Sequence, residues 1–255
     1  MMTRPKLLAG LSLLCFGLGF LGYTILRAQG YLSIVPYSAT ERMLDPKTGR
    51  QLALTTTIVR SDGSMAQKIN GSVVAIWDLK DKTETAIDPL TQSYVVAPLL
   101  SHRIPRFTNK PARCEDYFSN GSARQVTCTS KSGETMFGHP LVSVDLKTTA
   151  PNPRTLTEHI YAIRNLGWLV VKREIYNEKS ELISLYEVVD LREGEPNPAE
   201  FTVPAGFRSM GNFVEWAKAR AAARQEEFTQ HDADFMLQKW NTIVTKARAE
   251  GDDRF

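Results

Sequence analysis

The sequence predicts a mainly β chain of the α+β type, with an N-terminal membrane helix, an antiparallel curved sheet and a C-terminal helical tail. Three observations carry this prediction. Residues 7–26 contain no charged side chain. From about residue 38 to 191, short runs rich in Val, Ile, Thr and aromatic residues alternate with turn signals. After Gly211 the composition shifts to Ala, Lys, Arg, Gln and Glu, with apolar residues at helical spacing. The expected divisions are 1–27 for the N-terminal segment, 28–210 for the β domain and 211–255 for the helical extension.

The N-terminal segment, Leu7 to Leu26, is mostly Leu, Gly and Phe and follows Arg4 and Lys6. Twenty helical residues rise about 30 Å, the thickness of a bilayer's hydrocarbon core. Such a helix has no polar face to offer water. It reads either as an uncleaved signal anchor or as a signal peptide cut near Ala28. Its length favours the anchor, because signal-peptide cores run to about 7–15 residues. Gly10, Gly17, Gly19 and Gly22 and the small residue Ala28 support cleavage. The basic residues before the segment keep the N-terminus cytoplasmic. The expected location is thus the inner membrane, single-pass with the following domain outside the cytoplasm, or the periplasm or exterior after cleavage. Cys15 reads as a small apolar residue of that segment, since Leu14 occupies the position where a lipoprotein signal wants Gly or Ala.

Setting aside Arg4 and Lys6 leaves 29 of the 31 basic residues against 28 acidic ones. That near-balance leaves no electrostatic footprint for nucleic acid. Some 230 remaining residues suffice for one sizeable core, by the usual scaling of buried surface with length. Only Cys114 and Cys128 lie beyond the N-terminal segment. An even count in an oxidising compartment predicts a disulfide between them. Their spacing suits the two arms of a hairpin with Asn120-Gly121 near its tip.

The β elements follow in order. Leu52–Arg60 is rich in Thr, Ile and Val and ends at the turn Ser61-Asp62-Gly63-Ser64. Asn70-Gly71 forms a two-residue hairpin turn before the strand Ser72–Leu79. Thr83–Ile87, the turn Asp88-Pro89-Leu90-Thr91 and the strand Ser93–Ala97 follow. Residues 98–113 hold three prolines together with Arg103, Arg106, Lys110 and Arg113, and no acid, and read as a long solvated loop. Strands resume at Leu141–Leu146, Leu156–Ile163, Trp168–Tyr176 and Leu182–Leu191. Tight turns between them make an antiparallel meander. Ile160 and Ala162 alternate with His159 and Tyr161, so one face is buried. In the tail, Asn212 caps a helix with Glu215 at the capping-box position. Phe213, Ala217, Ala221, Arg224 and Phe228, then Met236, Trp240, Ile243 and Ala247, recur at helical spacing. His231–Asp234 divides the tail, with Asp232 or Asp234 as the second cap.

The chemistry search is sparse. No two of His102, His139, His159 and His231 share a helical i, i+4 ligand spacing, and no metal-protease, hydrolase or phosphate-loop string occurs. His231-Asp232-Ala233-Asp234 is the one compact His/Asp group, and a helix start explains it more simply than a metal. Asp62, Asp88 and Asp116 sit near turns, where Asp bonds its own backbone. Asn70-Gly71-Ser72 and Asn120-Gly121-Ser122 match glycosylation sequons, but turn chemistry explains both. No cofactor is indicated.

Glu193 to Phe207, E-G-E-P-N-P-A-E-F-T-V-P-A-G-F, resembles the closing motif of an uncharacterised family of exported bacterial β-rich proteins. Gly194, Pro196, Phe201, Val203, Pro204, Gly206 and Phe207 carry the match. Arg60–Ser64, Ile87–Ser93 and Gly133–Pro140 are similar to the same family, so the likeness spans about residues 40–210. It implies a lipoprotein-carrier (LolA-like) half-barrel, an antiparallel sheet curved around an apolar groove. The helical tail departs from that pattern. The resemblance implies a non-enzymatic module that holds an apolar ligand, such as an acyl chain, or an envelope protein. Trp77, Val95, Trp168 and Val170 would line its groove, or else fill a core. Two alternatives remain: a scaffold that recruits a partner through residues 212–249, and a hydrolase built on Asp62, Asp88 or His139.

Overall fold

The computed structural model describes residues 31–104, 108, 110–119, 124–149 and 155–254. The expected membrane segment 7–26 lies outside them, as does the expected Asn120-Gly121 turn. Among the described residues no helix is long and apolar enough to cross a membrane.

The strands are β1 (Tyr31–Leu32), β2 (Tyr37–Leu44), β3 (Gln51–Val59), β4 (Met65–Ile69), β5 (Ser72–Asp78), β6 (Thr83–Asp88), β7 (Ser93–Pro98) and β8 (Lys110–Pro111). They continue with β9 (Arg124–Met136), β10 (His139–Thr149), β11 (Thr155–Ile163), β12 (Leu169–Tyr176), β13 (Leu182–Glu193) and β14 (Arg208–Ser209). The helices are α1 (Cys114–Ser119), α2 (Phe213–Arg224) and α3 (Gln230–Ala249). Twelve strands form one curved, unclosed sheet in the order β14-β7-β6-β5-β4-β3-β2-β13-β12-β11-β10-β9. β1 and β8 pair separately.

The expected meander is therefore two meanders. β2 to β7 run in sequence order across one half, and β9 to β13 across the other. They meet where β2 pairs antiparallel with β13. Local chemistry explains the turns. Asn70 and Gly71 both have positive φ, 49° and 85°, as a tight hairpin turn requires. At the β3–β4 turn Asp62 accepts from the Ser64 amide, and Ser64 Oγ accepts from the Leu79 amide at 3.1 Å.

Three expectations are corrected. Three long strands, β2, β4 and β9, occupy stretches that were not read as strands. The disulfide joins α1 to β9 rather than two hairpin arms, with Cα atoms 6.3 Å apart. Tyr117 and Phe118 of α1 pack on Trp168, with ring centroids 6.2 and 6.1 Å away, so aromatic burial favours a helical turn there. Finally, α2 ends at Gln225 and Thr229 caps α3. Asp232 supplies the reciprocal half of that capping box, its carboxylate accepting from the Thr229 amide at 2.9 Å. Asn212 caps α2 as expected, accepting from the Glu215 amide at 2.9 Å. The loop 98–113 contains a 3-10 turn, Ser101–Arg103, as well as β8.

The closing segment after β13 crosses the sheet. Gly194 donates to the Pro36 carbonyl, and Glu195 accepts from Arg60 and from the Ser61 amide. Phe201, Val203 and Phe207 then pack on the buried cluster Ile58, Ala66, Ile76 and Ile87. Arg208–Ser209 adds a parallel strand beside Ser93–Tyr94 at the sheet edge. From there the helices return across the other side.

Candidate binding site

Cross-strand register assigns side chains to faces, because residues directly opposite one another point the same way. One row runs Ala53–Met43–Tyr186–Arg173–Ile160–Val144–Cys128. A second runs Val95–Ala86–Ala75–Gln67–Thr57–Ala39. Ala39, Glu41 and Met43 alternate along β2, so both rows lie on one face, termed here the helix face. The closing segment covers the opposite face.

Two covers occupy the ends of the helix face. At one end α1 places Cys114 and Phe118 over Val144, Leu146, Ile160 and Ala162, with Trp168 in the same cluster. Trp168 Nε1 donates to the Pro111 carbonyl at 2.7 Å, which ties in β8. The disulfide pins this cover to β9. At the other end α2 and α3 pack against β7. Arg224 of α2 grips Asp88 through two bonds, Nη2 to Oδ1 at 2.6 Å and Nη1 to Oδ2 at 3.0 Å. Asp88 also accepts from Thr91 Oγ1 at 2.8 Å. The Arg224 bonds chiefly hold its carboxyl down at about 2. Arg103 and Glu84 pair on the same side.

Between the covers the surface is mixed: Ala39 of β2 and Val188 of β13 are buried in a cluster with Ile163 and Val171, and other positions of β13, β2, β3 and β4 are half-buried. Met43, Thr55, Thr57, Gln67 and Tyr186 are each partly exposed, and the Arg173 side chain is 40% exposed. Arg173 donates from Nε to Glu158 at 2.9 Å, while the Glu158 side chain is only 6% exposed. Burial raises the Glu41 carboxyl, and the charge of Arg173 opposes that rise. Burial likewise raises the Tyr37 and Tyr117 hydroxyls nearby. The arrangement offers apolar contact, hydroxyl and amide groups, and carboxylates.

Trp77, Val95, Trp168 and Val170 are not gathered in one place. Val95 is 2% exposed and Trp168 3%, each beneath the chain's own cover. Trp77 and Val170 are half-buried, on β5 and β12, five strands apart in the sheet order. The candidate catalytic residues are also separated. Asp62 lies in the turn after β3 and Asp88 at the end of β6, at opposite ends of the strands. Asp88 is occupied by Arg224. His139 is held on both ring nitrogens, by Glu193 Oε1 at 2.9 Å and Asn165 Nδ2 at 2.9 Å. Asp116 lies in α1, 3.8 Å from the Arg113 guanidinium. Among the described residues no group of three or more His, Cys, Asp or Glu side chains could hold a metal ion.

Sequence reasoning passed over Glu41, Tyr186 and Arg173. A signal existed for Glu41: it breaks the run Tyr37, Ala39, Met43 at alternate positions of a strand.

No protein-family model matches the chain, and no curated protein matches it. Solved structures that match the chain include an uncharacterised conserved protein from Thermus thermophilus, at 11% identity and TM-score 0.41. That match covers 70% of this chain and 91% of the other. The Pseudomonas aeruginosa MucA/MucB complex matches at 15% identity and TM-score 0.38, over 67% of this chain and 56% of the other, less than two thirds of that chain. A domain described as an outer-membrane lipoprotein-sorting protein, from Vibrio parahaemolyticus, matches at 10% identity and TM-score 0.23, over 71% of this chain and 94% of the other.

Proposed function

We propose that this chain is a non-enzymatic binding module of the bacterial cell envelope, and that an apolar ligand or an envelope protein rests on the open middle of its helix face. One observation carries the reading: the face is packed at both ends by pinned covers and left half-exposed between them at Met43, Thr55, Thr57, Gln67 and Tyr186, around the buried Ala39 and Val188. Trp77 and Val170 supply its apolar margins, while Val95 and Trp168 anchor the covers above them. The Cys114–Cys128 bridge supports an oxidising compartment. The uncharged segment 7–26 supports export, either as a tether to the inner membrane or as a cleaved signal.

Photo-crosslinking in the native envelope tests this. The photoreactive residue p-benzoylphenylalanine, placed at Met43 or Thr57, is expected to form a discrete adduct whose mass identifies a lipid or a protein. At Leu90, 60% exposed and away from the face, it is expected to form none. Equal labelling at all three positions, or none at Met43 and Thr57, refutes the reading. Sequencing the mature N-terminus separates the tethered form from the cleaved one.

A further inference from the structure

The open face carries a carboxyl group, Glu41, that no side chain among the described residues bonds. Glu41 stands on β2 opposite Thr55 of β3 and Val188 of β13, with Met43 and Ala39 flanking it along the strand. Among the described residues it makes no hydrogen bond or ion pair; Arg173 reaches it only as a charge at a distance. The Arg173 guanidinium is committed to Glu158 through Nε at 2.9 Å and Nη2 at 2.6 Å. The other cations of β2, β4, β12 and β13 point to the opposite face and are paired, Arg42 with Glu187, Lys68 with Glu200, Lys172 with Glu174 and Arg192 with Asp190.

We propose that Glu41 selects a cationic occupant: an extended protein segment that sets a lysine or arginine over Glu41. This rests on the open face being a binding site, as read above. An acyl chain laid across Glu41 would strip water from a carboxylate and offer it no partner, which is costly. An anionic lipid headgroup would add repulsion to that cost. A lysine or arginine instead forms a charge-assisted hydrogen bond in a partly dry setting. Thr55, Thr57 and Gln67 beside it offer hydroxyl and amide groups to a peptide backbone. Burial already holds the Glu41 carboxyl above its ordinary range, so the bare face is the state in which this group is least well served.

The test uses the full chain in phosphatidylcholine nanodiscs and three blocked, fluorescein-labelled peptides of sequence Thr-Val-X-Val-Thr. X is lysine, norleucine or glutamate, and binding is read by fluorescence anisotropy. The lysine peptide is expected to bind about tenfold more tightly than the norleucine peptide, the usual scale of one hydrogen bond to a charged group. Glutamate is expected to bind weakest. The preference is expected to vanish in Glu41→Gln and to invert in Glu41→Lys, with thermal unfolding confirming that both variants fold. Equal or undetectable binding of the three peptides, or a lysine preference that survives Glu41→Gln, overturns the proposal. So does a lipid adduct as the sole product of cross-linking at Thr57. Cross-linking to a protein at Thr57 without any charge preference would overturn the cationic preference alone and leave the binding face standing.

Discussion

Replacing Arg224 by methionine is expected to loosen the helical cover by a pH-dependent amount. Arg224 and Asp88 are 136 residues apart, and their bidentate pair ties α2 to the end of β6. The Asp88 side chain is 1% exposed and that of Arg224 29%. The native environment lowers the Asp88 carboxyl from 3.8 to about 2. At about 1.4 kcal/mol per pKa unit, this corresponds to roughly 2–3 kcal/mol of stability at neutral pH. Because the folded value is depressed, that contribution is complete above the unfolded value near 3.8. It fades as pH falls and is gone below about 2. Removing the guanidinium leaves a buried carboxylate whose remaining donors among the described residues are Thr91 Oγ1 and the Leu90 amide. The methionine keeps most of the side-chain packing, so the loss is mainly electrostatic. Urea unfolding followed by circular dichroism at pH 7, 5, 3 and 2 checks this. The expected deficit of Arg224→Met against the parent is about 2–3 kcal/mol at pH 7 and 5, shrinking towards zero at pH 2. A deficit that is constant over that range, or below about 0.5 kcal/mol at pH 7, the scale of an exposed pair, refutes the reasoning.

Two further outcomes follow from the turns and the bridge. Reducing Cys114–Cys128, which closes a separation of 14 residues, is expected to cost about 3 kcal/mol, seen as a lower melting temperature in dithiothreitol. An unchanged melting temperature would mean that the bridge does not hold α1 in place. Gly71→Ala and Gly63→Ala both force alanine to a φ of +85°, yet they are expected to differ. Gly71 has open space around the new Cβ and should lose about 1–2 kcal/mol. At Gly63 the Cβ would stand 2.9 Å from Leu79 Cδ1 and 3.0 Å from both Ile34 and Thr108, adding about 1–3 kcal/mol of overpacking. Equal losses in urea unfolding would contradict that packing.

Legibility in the sequence tracked locality. The Asn70-Gly71 turn was readable because its geometry depends on two residues that tolerate positive φ. The alternation of Ile160 and Ala162 with His159 and Tyr161 marked β11 for the same local reason. β4 was not readable, because Met-Ala-Gln-Lys-Ile holds a single β-branched residue, at its end; its partners β3 and β5 impose the strand. β9 was hidden by polar residues and Gly133, and is held in place by pairing with β10 and by Cys128. The cap of α3 was nearly readable. Asp232 belongs to the cap, but Thr229 is the residue with extended backbone, so the helix starts earlier than the Asp positions suggested. The seam between β2 and β13 joins residues about 145 apart, exemplified by Arg42 and Glu187, and no short-range pattern encodes such a pairing. The candidate site inherits that limit. Glu41 breaks an alternating run along β2 and was legible there, but Arg173, whose charge acts on it, arrives from β12.

The two covers bear on how such a face would bind. The disulfide fastens α1 to the sheet and the Arg224–Asp88 pair fastens α2, while beyond α3 Glu250 accepts from the Ser101 amide at 2.9 Å and Arg254 donates to the Asp81 carbonyl at 2.6 Å. The disulfide attaches to β9 and the Arg224 pair to β6, far apart in the strand order. A surface framed this way keeps its width when empty, and an occupant spends little of its interaction energy on ordering the site. That distance separates the consequences of damage. Loss of the Arg224 link frees the margin near Trp77 and Val95, whereas reduction of the disulfide frees the margin near Trp168 and Val170. Peptide affinity measured for Arg224→Met, and for the parent under reducing conditions, therefore reports the two margins separately. A segment that spans the whole face should weaken in both cases, and one that rests on Glu41 and its immediate neighbours in neither.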